Sequence, residues 1–355
     1  MIIECVSEMF VNVRNSFKVW FIIYLAVTGV FSVPVSLPVH LMGAGFILCL
    51  LTIIKLPSPD PVHVSKVLND LYHQTTVHGA AGVVAHRAAC LDAPENSVEA
   101  VQRAVMNGAT WIEFDISFTS DGVGVVFHDD TLDRATNGSG LIVDYTFSQL
   151  QQLFLVDPGP FHLSHSKIAT VDRFVGECLA NNVRMIIDLK TYMNPTETVQ
   201  LMRELYRRYP SLIHNSIVTS FFPNLLYKLR QSDPSIVTAI STRPMFLSAQ
   251  SWEGTQASIR PRFSGVRQLV ARAGDAVFQP LLETVLWWVL GLSAVLVHRL
   301  HTGQEMVDTW HRRGVTVMAW TVNCPKEKQF YSEVLKIPIL TDTIRDNKLI
   351  DEASD

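Results

Sequence analysis

The sequence has no pair of cysteines at the short spacing that a thiolate zinc site requires. Its five cysteines are far apart along the chain, which does not indicate a disulfide framework. Cys90 lies beside the richest run of polar residues, and we interpret it as a small buried loop residue. The candidate metal ligands are therefore carboxylates and imidazoles.

Charged residues are also scarce, at 17% of the chain against roughly 25% in typical soluble domains. The net charge is −4 and no long basic block is present, so the sequence predicts no nucleic-acid partner. Internal repeats and low-complexity tracts are absent. The 355 residues are enough for one large domain or two ordinary ones.

The shortage of charge is greatest near the N-terminus, where residues 19–54 contain no Asp, Glu, Lys or Arg. A membrane span needs about 20 apolar residues. We therefore predict a membrane anchor over residues 19–54, preceded by a short segment over residues 1–18. The motif VPVSLPVH interrupts the run, which leaves open one span or a hairpin of two short spans. A cleaved signal peptide fits less well, because the run is too long.

Residues 56–61, LPSPDP, cannot continue a helix. We predict a linker over residues 55–79 and a catalytic domain over residues 80–350, in which strand and helix signals alternate. The predicted strands are Gly82–His86, Trp111–Ser117, Val123–His128, Arg184–Lys190, Ser216–Phe221, Ile236–Ile240, Leu292–Val297 and Val315–Val322. The predicted helices include Ser97–Met106, capped by Asn96 or Ser97, and Phe147–Leu155, Thr170–Asn181, Thr196–Tyr209 and Pro223–Gln231.

Eight apolar strands separated largely by helices predict a TIM (β/α)8 barrel, with a doubly wound open sheet as the alternative. Polar residues fall toward the C-terminal halves of the predicted strands, which is the active-site face of a barrel. An open sheet would collect such residues only from the strands at its switch point. The polar residues are His86, Arg87, Glu113, Asp115, His128, Asp188, Lys190 and Trp320.

A second apolar stretch, residues 277–297, is long enough to suggest a membrane span. We predict instead a helix, PLLETVLWWVL, and a strand, LSAVLV. A membrane span here would put Val315–Val322, the strand predicted to close the barrel, across the bilayer from the first strand. The helix ends an insertion over about residues 244–290, which is long for a barrel connection. The arginines of the insertion, followed by Trp287 and Trp288, fit either a lipid surface or ordinary packing against the barrel.

Paired side chains on single strands suggest a metal and phosphate site. Glu113 and Asp115 are two residues apart and so share one strand face, as do Asp188 and Lys190. Carboxylates suit Mg²⁺ or Ca²⁺, although they would also fit ion pairs inside a barrel. Two histidines can divide proton transfer, because imidazole titrates near neutral pH.

The remaining candidates are cations and aromatic residues. Arg87 can bind a phosphate with two parallel hydrogen bonds, and Lys190 can add a point charge, unless it only pairs with the neighbouring carboxylates. Phe221 and Trp320 end strands, where they would line a substrate pocket or pack in the core. Asn137 begins a glycosylation sequon and would otherwise be a turn residue.

Together the motifs resemble those of the glycerophosphodiester phosphodiesterase (GDPD) family, in particular its membrane-anchored animal branch. The resemblance covers residues 80–345. It implies a TIM barrel of the phospholipase-C-like phosphodiesterase type that uses a divalent cation to release glycerol 3-phosphate and an alcohol. The matching segments are HR (86–87), PENS (94–97), NGATWIEFD (107–115), TSDGVGVVFHDDTLDRATNGSG (119–140), IIDLK (186–190) and AWTVN (319–323).

The resemblance also implies roles. The metal ligands would be Glu113, Asp115 and Asp188. The acid and the base would be His86 and His128, and Arg87 and Lys190 would contact the phosphate. Glu95 would support the metal or the glycerol site. The glycerol 2-hydroxyl would attack first and water would open the cyclic phosphate. The family usually has glycine after HR, whereas this chain has Ala88 and Ala89. Glycine allows unusual backbone angles and a close approach of the backbone, whereas alanine could shift this loop or narrow the site. The substitution therefore puts the catalytic efficiency or the substrate range in question.

We therefore expect a membrane-bound phosphoric diester hydrolase of lipid metabolism. Its substrates would be glycerophosphodiesters such as glycerophosphoinositol, and its cation Mg²⁺, with Ca²⁺ as the alternative. Other hypotheses are a lysophospholipase D-like lipid hydrolase and a catalytically silent barrel that binds lipid or a protein partner. We expect an endomembrane or plasma-membrane location, with the catalytic domain on the lumenal or extracellular side.

Overall fold

The computed structural model describes residues 37–73, 82–158, 165–190, 195–252, 254 and 259–345. The chain has two compact units. The smaller unit combines Met1–Ser58 with Arg243–Gly291, and the larger unit combines Pro59–Thr242 with Leu292–Asp355. The predicted segment over residues 1–18 and residues 19–36 of the predicted anchor lie outside the described residues.

The larger unit contains the predicted barrel. The strands in the described part of the chain are β1 Val83–Ala85, β2 Trp111–Phe118, β3 Gly124–Val126, β4 Arg184–Leu189, β5 Ser216–Ser220, β6 Thr238–Thr242, β7 Ala249–Ser251, β8 Arg260–Pro261, β9 Ala294–His298, β10 Thr316–Trp320 and β11 Ile339–Thr341. Eight of them form a parallel ring in the order β1-β2-β4-β5-β6-β9-β10-β11. The ring is closed because β11 pairs with both β10 and β1. This closure excludes the open sheet.

Two details of the predicted barrel are wrong. The run Val123–His128 is not a barrel strand, because β3 turns back on β2 as an antiparallel hairpin. A parallel neighbour would need a long crossover connection, and only a short turn separates these two strands. The run Val315–Val322 does not close the barrel, because β10 is the seventh strand and Ile339–Thr341 is the eighth. The eighth strand has three residues, too few to give a periodic signal.

Helices connect most of the barrel strands. The α-helices in the described residues are α1 Leu37–Ile54, α2 Pro61–His73, α3 Val98–Met106, α4 Phe147–Leu150, α5 Val171–Ala180, α6 Pro195–Arg208, α7 Leu212–Asn215, α8 Pro223–Ser232, α9 Gly265–Leu281, α10 Trp287–Leu290, α11 Gln304–His311 and α12 Pro325–Gln329. Ser97 caps α3, since its hydroxyl accepts a hydrogen bond from the Ala100 amide. The helix predicted over Phe147–Leu155 ends early, at Leu150, and Leu155 instead pairs with Ser166 through a backbone hydrogen bond.

Helix α2 belongs to the barrel core, although the Pro-rich sequence predicted a linker over residues 55–79. Its side chains Val67, Leu68 and Leu71 are buried in one cluster with residues of the strands, including Trp111 at the start of β2 and Val237 just before β6. These partners lie at the N-terminal ends of the strands. The opposite, C-terminal ends are left for the polar residues.

The smaller unit holds the insertion and helix α1. Strands β7 and β8 form an antiparallel hairpin, and α9 continues through one π-helical turn, Leu282–Leu286, into α10. The helix predicted over residues 280–290 is therefore the end of a longer helical segment. Beyond α1, the Leu56 amide donates a hydrogen bond to the Val289 carbonyl at 2.8 Å, and Lys55 lies 4.7 Å from the centre of the Trp288 ring. None of the described helices combines the length and the apolar character of a membrane span.

The packing of α2 predicts a stability difference between two truncations in the same helix. Leu71 is 0% exposed and Val62 is 77% exposed. Leu71→Ala should lower the free energy of unfolding by about 3 kcal/mol, because it leaves a cavity in the barrel core. Val62→Ala should change it by less than about 0.5 kcal/mol. Urea denaturation of both variants measures this, and equal losses would show that α2 is not part of the core.

Candidate active site at the carboxyl ends of the barrel strands

Three buried carboxylates form the centre of the site. Glu113 and Asp115 lie on one face of β2, and the strand register pairs Asp115 with Asp188 on β4. Each residue offers a carboxylate oxygen that lies within 4.8 Å of the others. Their exposed fractions are only 3%, 1% and 5%. The sequence-predicted metal ligands are thus brought together at one point of the barrel.

Their mutual repulsion appears in the pKa values. Burial and the charges of Asp115 and Asp188 raise the pKa of Glu113 well above its ordinary value. Burial also raises the pKa of Asp188, against the opposing effect of Lys190. The pKa of Asp115 is instead lowered, because the cations of Lys190 and Arg87 outweigh its burial. Ionising all three carboxylates at once costs free energy unless additional positive charge is present.

Lys190 provides part of that charge. It follows β4, and its Nζ lies 3.0 Å from Asp115 Oδ1 and 2.8 Å from Asp188 Oδ2. Although burial acts against it, these carboxylates raise the pKa of Lys190. Lys190 therefore pairs with carboxylates, as one of the two interpretations of the sequence expected. These ion pairs place its positive charge at the centre of the site.

The loop after β1 adds a second cation in an unusual backbone conformation. Arg87 donates its backbone amide to Glu113 Oε2 at 2.9 Å. Its Nε lies 3.8 Å from Asp115 Oδ2 and has no hydrogen-bond partner among the described residues. Arg87, Ala88 and Ala89 have φ angles of 50°, 61° and 65°, in the left-handed region that favours glycine. The chain therefore adopts a left-handed loop here with alanine rather than glycine, and both alanines are fully buried.

Asn96 and Glu95 make polar contacts around the carboxylate group. Asn96 does not cap α3; its Nδ2 donates to Asp115 Oδ2 at 3.0 Å and its Oδ1 accepts from the Asp115 amide at 3.4 Å. Glu95 lies with arginines rather than in the carboxylate group, because it accepts two hydrogen bonds of 2.7 Å from Arg134. Glu95 Oε1 is also 3.6 Å from Arg87 Nη1.

His128 is held by a chain of charged groups. Its Nδ1 lies 2.5 Å from Asp129 Oδ1, and Asp129 Oδ2 accepts a hydrogen bond from Arg134 Nε at 2.6 Å. Burial, together with the charge of Lys190, lowers the pKa of His128 to about 4. The imidazole is therefore neutral at pH 7, and its Nε2 is the nitrogen left to exchange a proton.

His86 is likewise held by a carboxylate, that of Asp342 near the C-terminal end of the barrel domain. Its Nδ1 lies 2.6 Å from Asp342 Oδ1, and its Nε2 lies 3.9 Å from Glu113 Oε2. Asp342 directly follows β11 and also accepts hydrogen bonds from Asn323 at 2.7 Å and from the Cys90 thiol at 3.0 Å. Sequence reasoning missed Asp342 together with its strand. Its one trace in the sequence is the short run ILTD, in which Ile339–Thr341 precedes a carboxylate, and three residues are too few to indicate a strand.

The two predicted aromatic residues meet above the strands. The Trp320 ring lies 5.7 Å from Phe221 and 5.1 Å from His298, edge to face in both cases. Trp320 Nε1 donates to the Leu296 carbonyl at 3.1 Å, which fixes the ring, and Lys190 Nζ is 5.8 Å from the centre of Phe221. These aromatic side chains border the charged cluster. His298, at the end of β9, was not predicted.

The chemistry of the three clustered carboxylates suits a divalent cation. Within the described part of the chain, Asp188 Oδ1 is buried without a hydrogen-bond partner, which is costly for a carboxylate oxygen unless another group contacts it. The donor set is all oxygen, as Mg²⁺ and Ca²⁺ prefer. Glu113, Asp115 and Asp188 would hold such an ion.

The left-handed alanines generate a stability prediction. Ala89→Gly should raise the free energy of unfolding by about 0.5–1 kcal/mol, because it removes a left-handed penalty that exceeds the added chain entropy. The control Ala180→Gly, at an exposed position ending α5, should lower it by up to about 1 kcal/mol. Thermal denaturation compares the two. If Ala89→Gly is as destabilising as the control, the left-handed conformation carries no strain.

Comparisons with known proteins identify the family of this chain. The profile of the Glycerophosphoryl diester phosphodiesterase family matches residues 86–346. Glycerophosphodiester phosphodiesterase 1 of Rattus norvegicus is 34% identical over 327 residues, which covers 89% of this chain and 94% of the rat protein. The Homo sapiens protein of the same name is 33% identical over 307 residues, covering 83% and 88%.

Solved structures share the fold. A phosphodiesterase from Oleispira antarctica, in complex with the product sn-glycerol-3-phosphate, has a TM-score of 0.56 at 22% identity and covers 74% of this chain and 93% of that chain. A glycerophosphodiester phosphodiesterase from Agrobacterium tumefaciens has a TM-score of 0.52 at 20% identity, covering 74% and 96%. With the family profile matching most of the chain and relatives above 30% identity, this protein belongs to the glycerophosphoryl diester phosphodiesterase family.

Proposed function

We propose that this protein hydrolyses glycerophosphodiesters, such as glycerophosphoinositol, to glycerol 3-phosphate and an alcohol with the help of Mg²⁺. The observation that carries the proposal is the group of three buried carboxylates flanked by two cations and two tethered histidines. A binding module would not need this combination. The silent-barrel hypothesis rested on Ala88 and Ala89, and the Arg87 amide still reaches Glu113 despite them.

The cations position the phosphate. In the part of the chain that the structure describes, Arg87 Nε has no hydrogen-bond partner, and it lies at the edge of the carboxylate group, so its guanidinium can bind a phosphate oxygen. Lys190, which already contacts Asp115 and Asp188, adds positive charge on the same side. A divalent cation on the three carboxylates would neutralise further charge on the phosphate oxygens.

The two histidines divide the proton transfers. His128 is neutral at pH 7 and accepts the proton of the attacking hydroxyl, while Asp129 fixes which ring nitrogen carries the other proton. His86 donates a proton to the leaving oxygen, because Asp342 Oδ1 holds its Nδ1 at 2.6 Å and its Nε2 is turned to the site, 3.9 Å from Glu113 Oε2. When water then attacks, the two imidazoles exchange these roles.

The membrane location and the glycosylation remain proposals. Residues 19–54 carry no charged side chain, which supports an anchor. Asn137 is exposed, with its side-chain oxygen accepting a hydrogen bond from the Phe154 amide at 2.8 Å. A glycan on Asn137 would place the barrel on the lumenal or extracellular side.

The metal requirement is tested on the full chain in detergent. Release of glycerol 3-phosphate from glycerophosphoinositol should occur with Mg²⁺ and stop with a chelator. Glu113→Gln and Asp188→Asn should each reduce kcat/KM by at least about a thousandfold, because each removes a predicted metal ligand. The exposed control Glu305→Gln should keep full activity.

Three outcomes separate the alternatives. Folded protein that releases nothing from glycerophosphodiesters contradicts the proposal. Release of choline from lysophosphatidylcholine without any activity on glycerophosphodiesters would favour the lysophospholipase D-like hydrolase. Binding of either ligand without turnover would favour the silent barrel.

The tether on His86 generates a second prediction. Asp342→Asn should lower kcat by about a hundredfold with little change in KM, because the imidazole loses the group that orients it. The exposed control Asp308→Asn should leave kcat unchanged. Steady-state kinetics on glycerophosphoinositol measures both. A normal kcat for Asp342→Asn would remove His86 from the proton-transfer scheme.

A further inference from the structure

Helix α9 exposes its apolar face to solvent. Val266, Leu269, Val270 and Val277 have exposed fractions of 75%, 65%, 66% and 64%, and no residue of this 17-residue helix is buried. Their spacing, with Ala273 between them, puts these residues on one side of a helix. This stripe, Val266, Leu269, Val270, Ala273 and Val277, is called the α9 apolar face below.

The polar face of α9 is the one that holds the helix in place. Gln268 Nε2 donates to the Ser248 carbonyl at 2.9 Å, and the Asp275 carboxylate accepts from the Leu247 and Ser248 amides at 2.8 and 2.9 Å. Gly274 lies so close to Leu247 that a Cβ atom would be 2.9 Å from its side chain. A surface helix of a soluble domain has the opposite orientation, with its apolar stripe turned inward.

Arginines accompany the α9 apolar face, with Arg267 and Arg272 on the helix itself and Arg260 on β8. Arg260, Arg267 and Arg272 are exposed. The two carboxylates of residues 259–291 are already engaged, Asp275 with backbone amides and Glu283 with Gln279. Residues 259–291 also carry four arginines against these two carboxylates, so the segment has an excess of positive charge beside an apolar stripe. That combination fits the interface of a membrane that contains anionic lipids.

We propose that α9 lies flat on a lipid bilayer with anionic headgroups, with its apolar face at the acyl boundary and Arg267 and Arg272 at the phosphates. The rest of the smaller unit supports this occupant. Helix α1 exposes Phe46 and Ile53 at 65% and 73%, and it forms the C-terminal half of the charge-free run of residues 19–54. The hydrogen bond from Leu56 to Val289 joins the chain after α1 to the helical segment that α9 begins.

Hydrogen exchange of the full chain in nanodiscs tests the docking. One set of discs contains phosphatidylcholine alone and the other contains phosphatidylcholine with phosphatidylserine. Amides of residues 265–281 should exchange more slowly in the anionic discs. The ratio of docked to undocked helix should fall about fivefold for each of Arg267→Gln and Arg272→Gln. This readout does not depend on catalysis, so it stands or falls separately from the proposed function.

A double variant tests the apolar contribution. Val270→Glu with Val277→Glu should reduce the protection more than about tenfold, because it puts two charges into the acyl boundary. The matched control, Met106→Glu with Val334→Glu, changes two residues of the larger unit that are 80% and 58% exposed and should leave the protection unchanged. Exchange that is equal in both kinds of disc and insensitive to the glutamates would overturn the proposal. Protection that rises with protein concentration at constant lipid would also overturn it, in favour of a second copy of the chain.

Discussion

The repulsion among three buried carboxylates is the constraint on which the site depends. Uncompensated charges in a barrel interior are costly, and the oxygens of Glu113, Asp115 and Asp188 lie within 4.8 Å of one another. Lys190 relieves part of the repulsion by contacting two of the carboxylates. The remaining strain is visible in the raised pKa values of Glu113 and Asp188, and a divalent cation is the group that would remove it.

The barrel makes this arrangement possible by separating stability from function. Its N-terminal end is closed by α2 and packed with apolar side chains, so the charged residues can collect at the other end. There each histidine has its own carboxylate, Asp342 for His86 and Asp129 for His128. Both tethers act on Nδ1, which leaves both Nε2 atoms for proton exchange.

Much of the centre could be predicted from sequence, because a strand places residues two apart on one face. That rule brings together Glu113 with Asp115, and Asp188 with Lys190. It could not reveal Asp342, whose strand has three residues, or the role of Asn96, whose contact with Asp115 crosses from a loop to β2. Period-two patterns also look alike in a barrel strand and in the hairpin strand β3. The outward orientation of α9 was equally hidden, since its periodicity gives a face but not a direction.

The central claim is that the three carboxylates bind one divalent cation, and calorimetric titration of the full chain with Mg²⁺ tests it most directly. The claim predicts one saturable site per chain. It also predicts proton release on binding that diminishes as the pH is raised, because the raised pKa values of Glu113 and Asp188 leave protons for the cation to displace. Absence of saturable binding of Mg²⁺ or Ca²⁺ by folded protein, or equal binding by an Asp188→Asn variant, would contradict it.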